Sequence, residues 1–176
     1  MSLVKKDTIC AIATASGTAG ISVIRMSGND SHKIALSRFV KKAKNLTVND
    51  IIPNMMYYGE IVDFDNKTID DVMLTFFKAP HSYTGEDSVE ISCHGSIYIQ
   101  NKILELLIQT GSRLAEAGEY TMRAFINGKM DLTQAEAVAD IISSKNEAEH
   151  RVAMNQLKGG FSNQLKILRR NILDLT

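Results

Sequence analysis

The apolar residues of this chain change period once, near Gly118, and that change restricts the folds open to it more than any other feature. Before it, short runs alternate apolar with polar side chains, as half-buried strands do. After it, apolar residues recur at helical spacing, with no proline and few runs of β-branched residues. A chain of 176 residues can hold one full domain with its own core and part of a second. The pattern predicts an α+β domain over residues 1–118 and an α-helical segment over 119–176.

In the first part, "DTICAIA" (7–13) and "ISVIRM" (21–26) read as strands joined by "TASGTAG", after which Asn29, Asp30 and Ser31 offer caps for a short helix, "SHKIALSRFV". Past a polar stretch at 41–50, "MMYYGEIVDF" and "IDDVMLTFF" read as hairpin partners, with Asp65-Asn66 supplying the turn and Pro80 following the second strand. The segment "SYTGEDSVEISCHGS" (82–96) then reads as a loop leading into a strand. Val89, Ile91 and Cys93 alternate with Ser88, Glu90, Ser92 and His94, so Cys93 joins the core-facing aliphatics while Glu90 and His94 share the opposite face. Nothing before Gly95 announces a bulge. The helix "IYIQNKILELLIQT" follows, with Ile99, Ile103, Leu106 and Leu107 as its stripe and Gly111 as its C-cap; "SRLAE" then returns to the sheet. The order β-β-α-β-β-β-α-β implies a mixed sheet.

Beyond Gly118, Leu132, Ala135, Val138, Ala139 and Ile142 follow one helical face, and Leu157, Phe161, Leu165, Leu168, Ile172 and Leu175 follow another. Gly159-Gly160 predicts a kink or break, since each glycine costs a helix about 1 kcal/mol relative to alanine. The helical pattern runs to Thr176, and an amphipathic stripe needs cover, so a truncated chain or a covering partner is expected.

Charge and cysteine usage narrow the class. Twenty Lys and Arg balance twenty Asp and Glu, so no overall basic field directs the chain to nucleic acid, although a local patch stays open. Cys10 and Cys93 lie in apolar runs and read as buried, reduced thiols, which points to a cytoplasmic protein. No apolar run approaches the ~20 residues of a membrane span, and the N-terminus lacks the apolar region of a signal peptide.

The candidate chemistry is sparse. His32, His81, His94 and His150 show no metal-ligand spacing. Cys93 and His94 are adjacent on a strand and point to opposite faces, which argues against a thiol nucleophile with its base. "NGKMD" (127–131) lacks a glycine five residues before Gly128, and Met130 stands where a phosphate loop needs Ser or Thr. "SGTAG" (16–20) lacks dinucleotide-binding spacing. What remains is a trio. Arg25 lies in an apolar run where a cation needs a carboxylate or an anionic ligand, Glu90 sits on a strand, and Lys129 follows a Gly128 turn. Either Arg25 and Glu90 form a structural salt bridge with Lys129 solvated, or the three line a pocket for a ligand with a paired donor edge and acidic groups.

The segments "GISVIRMSG", "APHSYTGEDSVEISCHG", "GEYTMRAFINGKMDLTQAEAVADII" and "NQLKGGFS", in this order, resemble the N-terminal part of the MnmE (TrmE) family of tRNA modification GTPases. Departures are small: Ala117 for a usual Pro, Tyr120 for Phe, Ser96 for Gly, and Thr18 where a basic residue is common. The resemblance implies a tetrahydrofolate-binding and dimerisation domain, similar to that of glycine-cleavage aminomethyltransferases, followed by the start of a helical domain. It also implies that the family's inserted GTPase domain and C-terminal cysteine motif are absent here. The chain is then expected to bind 5-formyltetrahydrofolate, or another reduced folate, without hydrolysing GTP.

By the same resemblance, Arg25, Glu90 and Lys129 hold the folate. Glu90 would accept the paired N–H groups of the pterin edge, and the two cations would meet the carboxylate tail or polarise a carbonyl. Tyr83 would pack on the ligand or serve the fold. No catalytic residue and no metal ligand is expected in this portion. The full-length protein, a GTP-binding hydrolase using K+ and Mg2+, would form a homodimer and act with the FAD-dependent partner MnmG. Together they would add a carboxymethylaminomethyl group at C5 of the wobble uridine (position 34) of certain tRNAs. Two rivals remain: a free-standing folate-dependent aminomethyltransferase, for which no acid at the transferred carbon is identified, and a helical dimerisation module without a ligand.

Overall fold

The computed structural model describes residues 7–41 and 46–173, with the backbone alone over 161–167. The chain divides into two compact units, Met1–Tyr120 and Thr121–Thr176.

The first unit is built on β1 (Ile9–Ile12), β2 (Ala19–Ser27), α1 (Ser31–Ser37), β3 (Phe39–Val40), β4 (Met56–Val62), β5 (Thr68–Phe77), β6 (Ser88–Gly95), α2 (Ile97–Gln109) and β7 (Arg113–Leu114). The seven strands form one sheet in the order β3-β4-β5-β6-β2-β1-β7. β1 and β7 pair in parallel and the other neighbours are antiparallel, so the sheet is mixed and the unit is α+β, as the element order implies.

The alternation in β6 decides what each face does. Val89, Ile91 and Cys93 are buried, joining Ile24, Met26, Leu74 and Phe76 beneath Ile34 and Ala35 of α1 and Ile103, Leu106 and Leu107 of α2. Burying a side chain of this size stabilises by about 1.5–3 kcal/mol. α2 lies across β1, β2, β5 and β6. It closes at Gly111, whose positive φ of 121° lets Ser112 N–H reach Leu107 O and Gly111 N–H reach Ile108 O, a Schellman cap. The opposite face of the sheet carries Glu90, Ser92 and His94, with the exposed Ile21, Met56, Tyr58 and Met73 beside them.

Three local readings change. The helix expected over 31–40 ends at Ser37, and Phe39–Val40 instead pairs with Ile61 and Glu60 as β3, because the Phe39 ring is buried in the core. Asp30 occupies the N-cap position without a side-chain cap bond; Thr8 Oγ1 accepts from the Asp30 N–H at 3.1 Å. An irregularity does exist at the end of β6, but the extra residue belongs to its partner: the register shifts between Ala19 and Ile21, placing the bulge at Gly20. In the β4–β5 turn, Asn66 has φ 59° and the Asp63 carboxylate accepts from Asp65 and Lys67 N–H at 2.9 and 2.8 Å.

α3 (Glu119–Ile126) crosses from the first unit's sequence into the second, followed by α4 (Leu132–Ser143), α5 (Glu147–Leu157) and α6 (Gly160–Leu173). Asp131 and Gln134 form a reciprocal capping box for α4, and Asn146 caps α5. Ala137 and Ala153 are the buried residues of α4 and α5, and the seam between these helices is cross-linked by Gln134 Nε2 to Leu157 O (2.7 Å) and Gln156 Nε2 to Thr133 O (3.1 Å). The break expected at Gly159-Gly160 is present, with Gly159 at φ 81° between α5 and α6. In the expected last stripe, the side chains of Phe161 and Leu165 and all of Leu175 lie outside the described residues. Among the described residues, no helix is long and apolar enough to cross a membrane.

Candidate functional site

Arg25 on β2 and Glu90 on β6 are direct cross-strand neighbours on the face of the sheet opposite α1 and α2. Arg25 Nε and Nη2 both donate to Glu90 Oε1, at 3.0 and 2.7 Å, and each side chain keeps 30 % of its surface exposed. Two aromatic rings flank the guanidinium: its Cζ lies 5.5 Å from the Tyr83 ring centre and 5.8 Å from that of Tyr120. At these distances a ring face attracts a cation.

Each neighbour is held by its own local chemistry. Tyr83 belongs to "SYTGED", a loop pinned from within by Ser82 Oγ to Glu86 O (2.6 Å) and tied to β2 by Ser27. The Ser27 hydroxyl lies 2.7 Å from both Thr84 Oγ1 and Glu86 Oε2, and Thr84 is buried. The small hydroxyls and Gly85, at φ 78°, therefore make the loop compact. Tyr120 donates its hydroxyl to Arg25 O at 2.6 Å. It is positioned by the start of α3, where the buried Glu119 accepts from Arg113 (2.7 and 3.1 Å) and from Glu116 N–H (2.8 Å). Arg113 also binds Asp7 at 2.8 Å, and these two carboxylates raise its pKa further above the ordinary range.

Lys129 belongs to the second unit. Gly128, at φ 69°, closes α3: Lys129 N–H donates to Ala124 O at 2.9 Å and Gly128 N–H to Phe125 O at 3.0 Å. This Schellman cap leaves Lys129 exposed, so the tight turn read from "INGK" is real. The structure thus brings Arg25 and Glu90 into contact, and it places Lys129 on an ordered helix terminus of the other unit.

The remaining candidates separate clearly. Cys10 and Cys93 are free and buried. Burial, reinforced by the Asp70 charge, pushes the Cys93 thiol from 9.0 to about 11, and burial also raises Cys10. Neither is an activated nucleophile. His32 is a core residue, with Nε2 3.1 Å from Phe77 O and its ring edge-on to Phe76. No cluster of metal-ligating side chains occurs among the described residues. One pair escaped the sequence reading: His94 Nδ1 lies 2.7 Å from Asp70 Oδ1, while Asp70 Oδ2 accepts the His94 N–H at 2.8 Å. Asp70 is buried and replaces a missing ladder partner where β5 and β6 diverge, beside a cavity of about 370 Å³ lined by Ile21, Tyr58, Met73 and His94. The "IDD" at the start of β5 held the only hint, an acid at a core-facing position.

A family model described as GTP-binding protein TrmE N-terminus matches residues 8–129, a span that includes Arg25, Glu90 and Lys129. The chain belongs to this family. A second model, MnmE helical domain, matches residues 132–176. Among similar proteins, the tRNA modification GTPase MnmE of Porphyromonas gingivalis is 53% identical over 171 residues, covering 97% of this chain and 36% of that protein. Those of Flavobacterium johnsoniae and Bacteroides thetaiotaomicron are 52% and 50% identical over 98% and 97% of the chain, again 36% of each relative. The chain therefore spans about a third of the length of the TrmE relatives it matches.

Proposed function

We propose that the chain is the reduced-folate-binding and dimerisation portion of a tRNA modification GTPase. Residues 1–118 would form the binding and dimer domain, and 119–176 the first part of the helical domain. The observation that carries this reading is the Arg25–Glu90 pair on the sheet face opposite α1 and α2, flanked by Tyr83 and Tyr120. A half-exposed carboxylate suits the adjacent N–H donors of a folate's flat heterocycle, and the neighbouring guanidinium adds a donor for the ligand's oxygen atoms. Glu90 would grip the pterin edge. Arg25 and Lys129 would meet the acidic groups of the tail or polarise a carbonyl of the ligand.

The exposed Ile21, Met56, Tyr58 and Met73 on the same face support a homodimer, since contiguous apolar surface of this kind marks interaction sites. In the full-length protein, GTP with K+ and Mg2+ would act through a separate GTPase domain. The dimer would work with MnmG on the wobble uridine of certain tRNAs in the cytoplasm.

Calorimetric titration with 5-formyltetrahydrofolate tests the binding core of the proposal. Saturable binding that disappears in a folded Glu90→Ala variant is the expected result. The competing reading, that the 2.7 Å pair serves only to join β2 to β6, predicts no heat with folate and a change in stability alone. Light scattering of Tyr58→Glu tests the dimer, which that charge should dissociate.

A further inference from the structure

His94 and Asp70 form a second polar centre on the sheet, apart from the Arg25–Glu90 pair. Asp70 spends both carboxylate oxygens on His94: Oδ2 accepts the backbone N–H at 2.8 Å, and Oδ1 meets ring Nδ1 at 2.7 Å. A carboxylate accepts, so Nδ1 carries the proton and the neutral ring shows a lone pair at Nε2. The Asp70 side chain is 8% exposed and that of His94 67%. Nε2 makes no hydrogen bond among the described residues, and His94 lines the cavity of about 370 Å³ together with Ile21, Tyr58, Met73 and Ser92. A buried carboxylate that fixes the tautomer of an accessible imidazole readies its other nitrogen for a ligand atom.

The strand sets where this nitrogen lies relative to Glu90. Along β6 the residues of the polar face open progressively: Ser88 is buried against Thr84 and Glu86, Glu90 and Ser92 are half-buried, and His94 is exposed. A ligand held at Glu90 is therefore led away from the "SYTGED" loop, toward Ser92 and His94. Four residues at strand rise put His94 about 13 Å from Glu90. A bicyclic heterocycle gripped by its N–H edge, with one methylene beyond it, covers about that distance. It brings the nitrogen that links a folate's heterocycle to its benzoyl tail up to Nε2, while Ile21 and Met73 wall the cavity beside the tail's ring. In this pose Arg25, directly opposite Glu90, meets a carbonyl of the heterocycle and not the tail.

We propose that His94, oriented by Asp70, is the hydrogen-bond partner of that linking nitrogen, its Nε2 accepting the nitrogen's N–H. This rests on the folate reading of Glu90, and it names a specificity-determining residue outside the Arg25–Glu90 pair. His94 reads whether the linking nitrogen carries a hydrogen, which a folate bearing its one-carbon group on the ring nitrogen alone retains.

Asp70→Asn tests this with little change of shape. The His94 N–H keeps the amide oxygen, so the amide NH2 turns to Nδ1 and Nε2 becomes a donor. Two probes read the inversion by calorimetric titration of the 176-residue chain. 5-Formyltetrahydrofolate has the linking N–H, whereas 5,10-dideazatetrahydrofolate has carbon in its place, with the same heterocycle edge and tail. Asp70→Asn should weaken the first about tenfold, because two donors then face each other, and leave the second unchanged. His94→Phe keeps a flat ring at an exposed position. It should weaken the first probe about fivefold and the second not at all, and it carries the test should Asp70→Asn fail to fold by circular dichroism. Nitrogen NMR of the unaltered chain gives a reading that needs no second probe: saturating 5-formyltetrahydrofolate should move the His94 Nε2 signal and leave Nδ1 protonated. An unmoved Nε2, equal loss of both probes, or loss that follows dissociation in light scattering overturns the role of His94 and leaves the folate reading standing. No binding of 5-formyltetrahydrofolate by the unaltered chain overturns both.

Discussion

In the sheet unit the wholly buried side chains are large, among them Ile24, Leu74, Phe76 and Ile91. In the helical unit the buried residues of α4 and α5 are alanines, Ala137 and Ala153, while Ile142 and Val152 on the same helices stay 80% and 65% exposed. The sheet unit thus draws its stability from apolar volume removed from water. The α4–α5 pair draws it from close backbone approach, caps and the two glutamine cross-links. One consequence is that equal truncations should have very unequal effects.

Phe76→Ala gives the largest expected effect. It removes a fully buried ring that touches Tyr57 and His32 edge-on, and should cost about 3–5 kcal/mol in urea denaturation. Ile142→Ala, the matching truncation in α4, should change stability by no more than about 0.5 kcal/mol. Equal costs would mean that the exposed face of α4 is covered in solution.

The next effect concerns pH. Cys93 ionises at about 11 in the folded chain against 9.0 ordinarily, mainly through burial and secondarily through Asp70. The folded state therefore holds its proton longer than the unfolded state. The stability this represents is complete below pH 9 and declines as pH rises through 11, by an amount on the order of 2 kcal/mol. Cys93→Ala should flatten that decline relative to the unaltered chain, read as the difference in denaturation midpoints between pH 8 and pH 10.5. The helical unit contains no cysteine, so this test reads the sheet unit alone.

How much of this was legible in the sequence depends on whether a residue's role follows from its neighbours in the chain. The faces of β6 follow from alternation alone, and Gly111, Gly128 and Gly159 mark three chain reversals because a positive φ is a local demand. β3 was not legible, since Phe39 continues the helical spacing of α1 and only the distant β4 edge makes it a strand. The contact of Arg25 with Glu90 could be posed as an alternative but not decided, because it spans 65 positions. The partners of Tyr120 and Asp70 could not be read for the same reason: one reaches back to β2 from α3, and the other, hinted at only by an acid at a core-facing position, fills a ladder gap that pairing geometry creates.

A smaller effect is expected where the two units' sequences meet. Glu119 is buried and holds Arg113 and the Glu116 N–H, so Glu119→Gln keeps the shape while removing the charge. Arg113 is about a third exposed and retains Asp7, which limits the loss to about 1–1.5 kcal/mol. A drop in melting temperature with retained helix content by circular dichroism is the expected reading. Loss of α3 helicity would instead make Glu119 a nucleating residue.

The smallest effect tests the break between α5 and α6. Gly159 sits at φ 81° after the last turn of α5, where Lys158 N–H donates to Met154 O and Gly159 N–H to Gln156 O. A side chain added there meets open space, with Gln134 Nε2 nearest at 3.9 Å, so the cost of Gly159→Ala is conformational and not a clash. The left-handed backbone disfavours alanine by about 1–2 kcal/mol, and the stiffer unfolded chain offsets part of this, leaving about 1 kcal/mol. Gly160→Ala differs in kind: it crowds the Asn155 side chain, which can turn away, at a position already helical, so it should be near neutral. A Gly159→Ala chain as stable as the unaltered one, with higher helix content, would mean that α5 and α6 can fuse. The break would then be a preference of one glycine and not a demand of the helical unit.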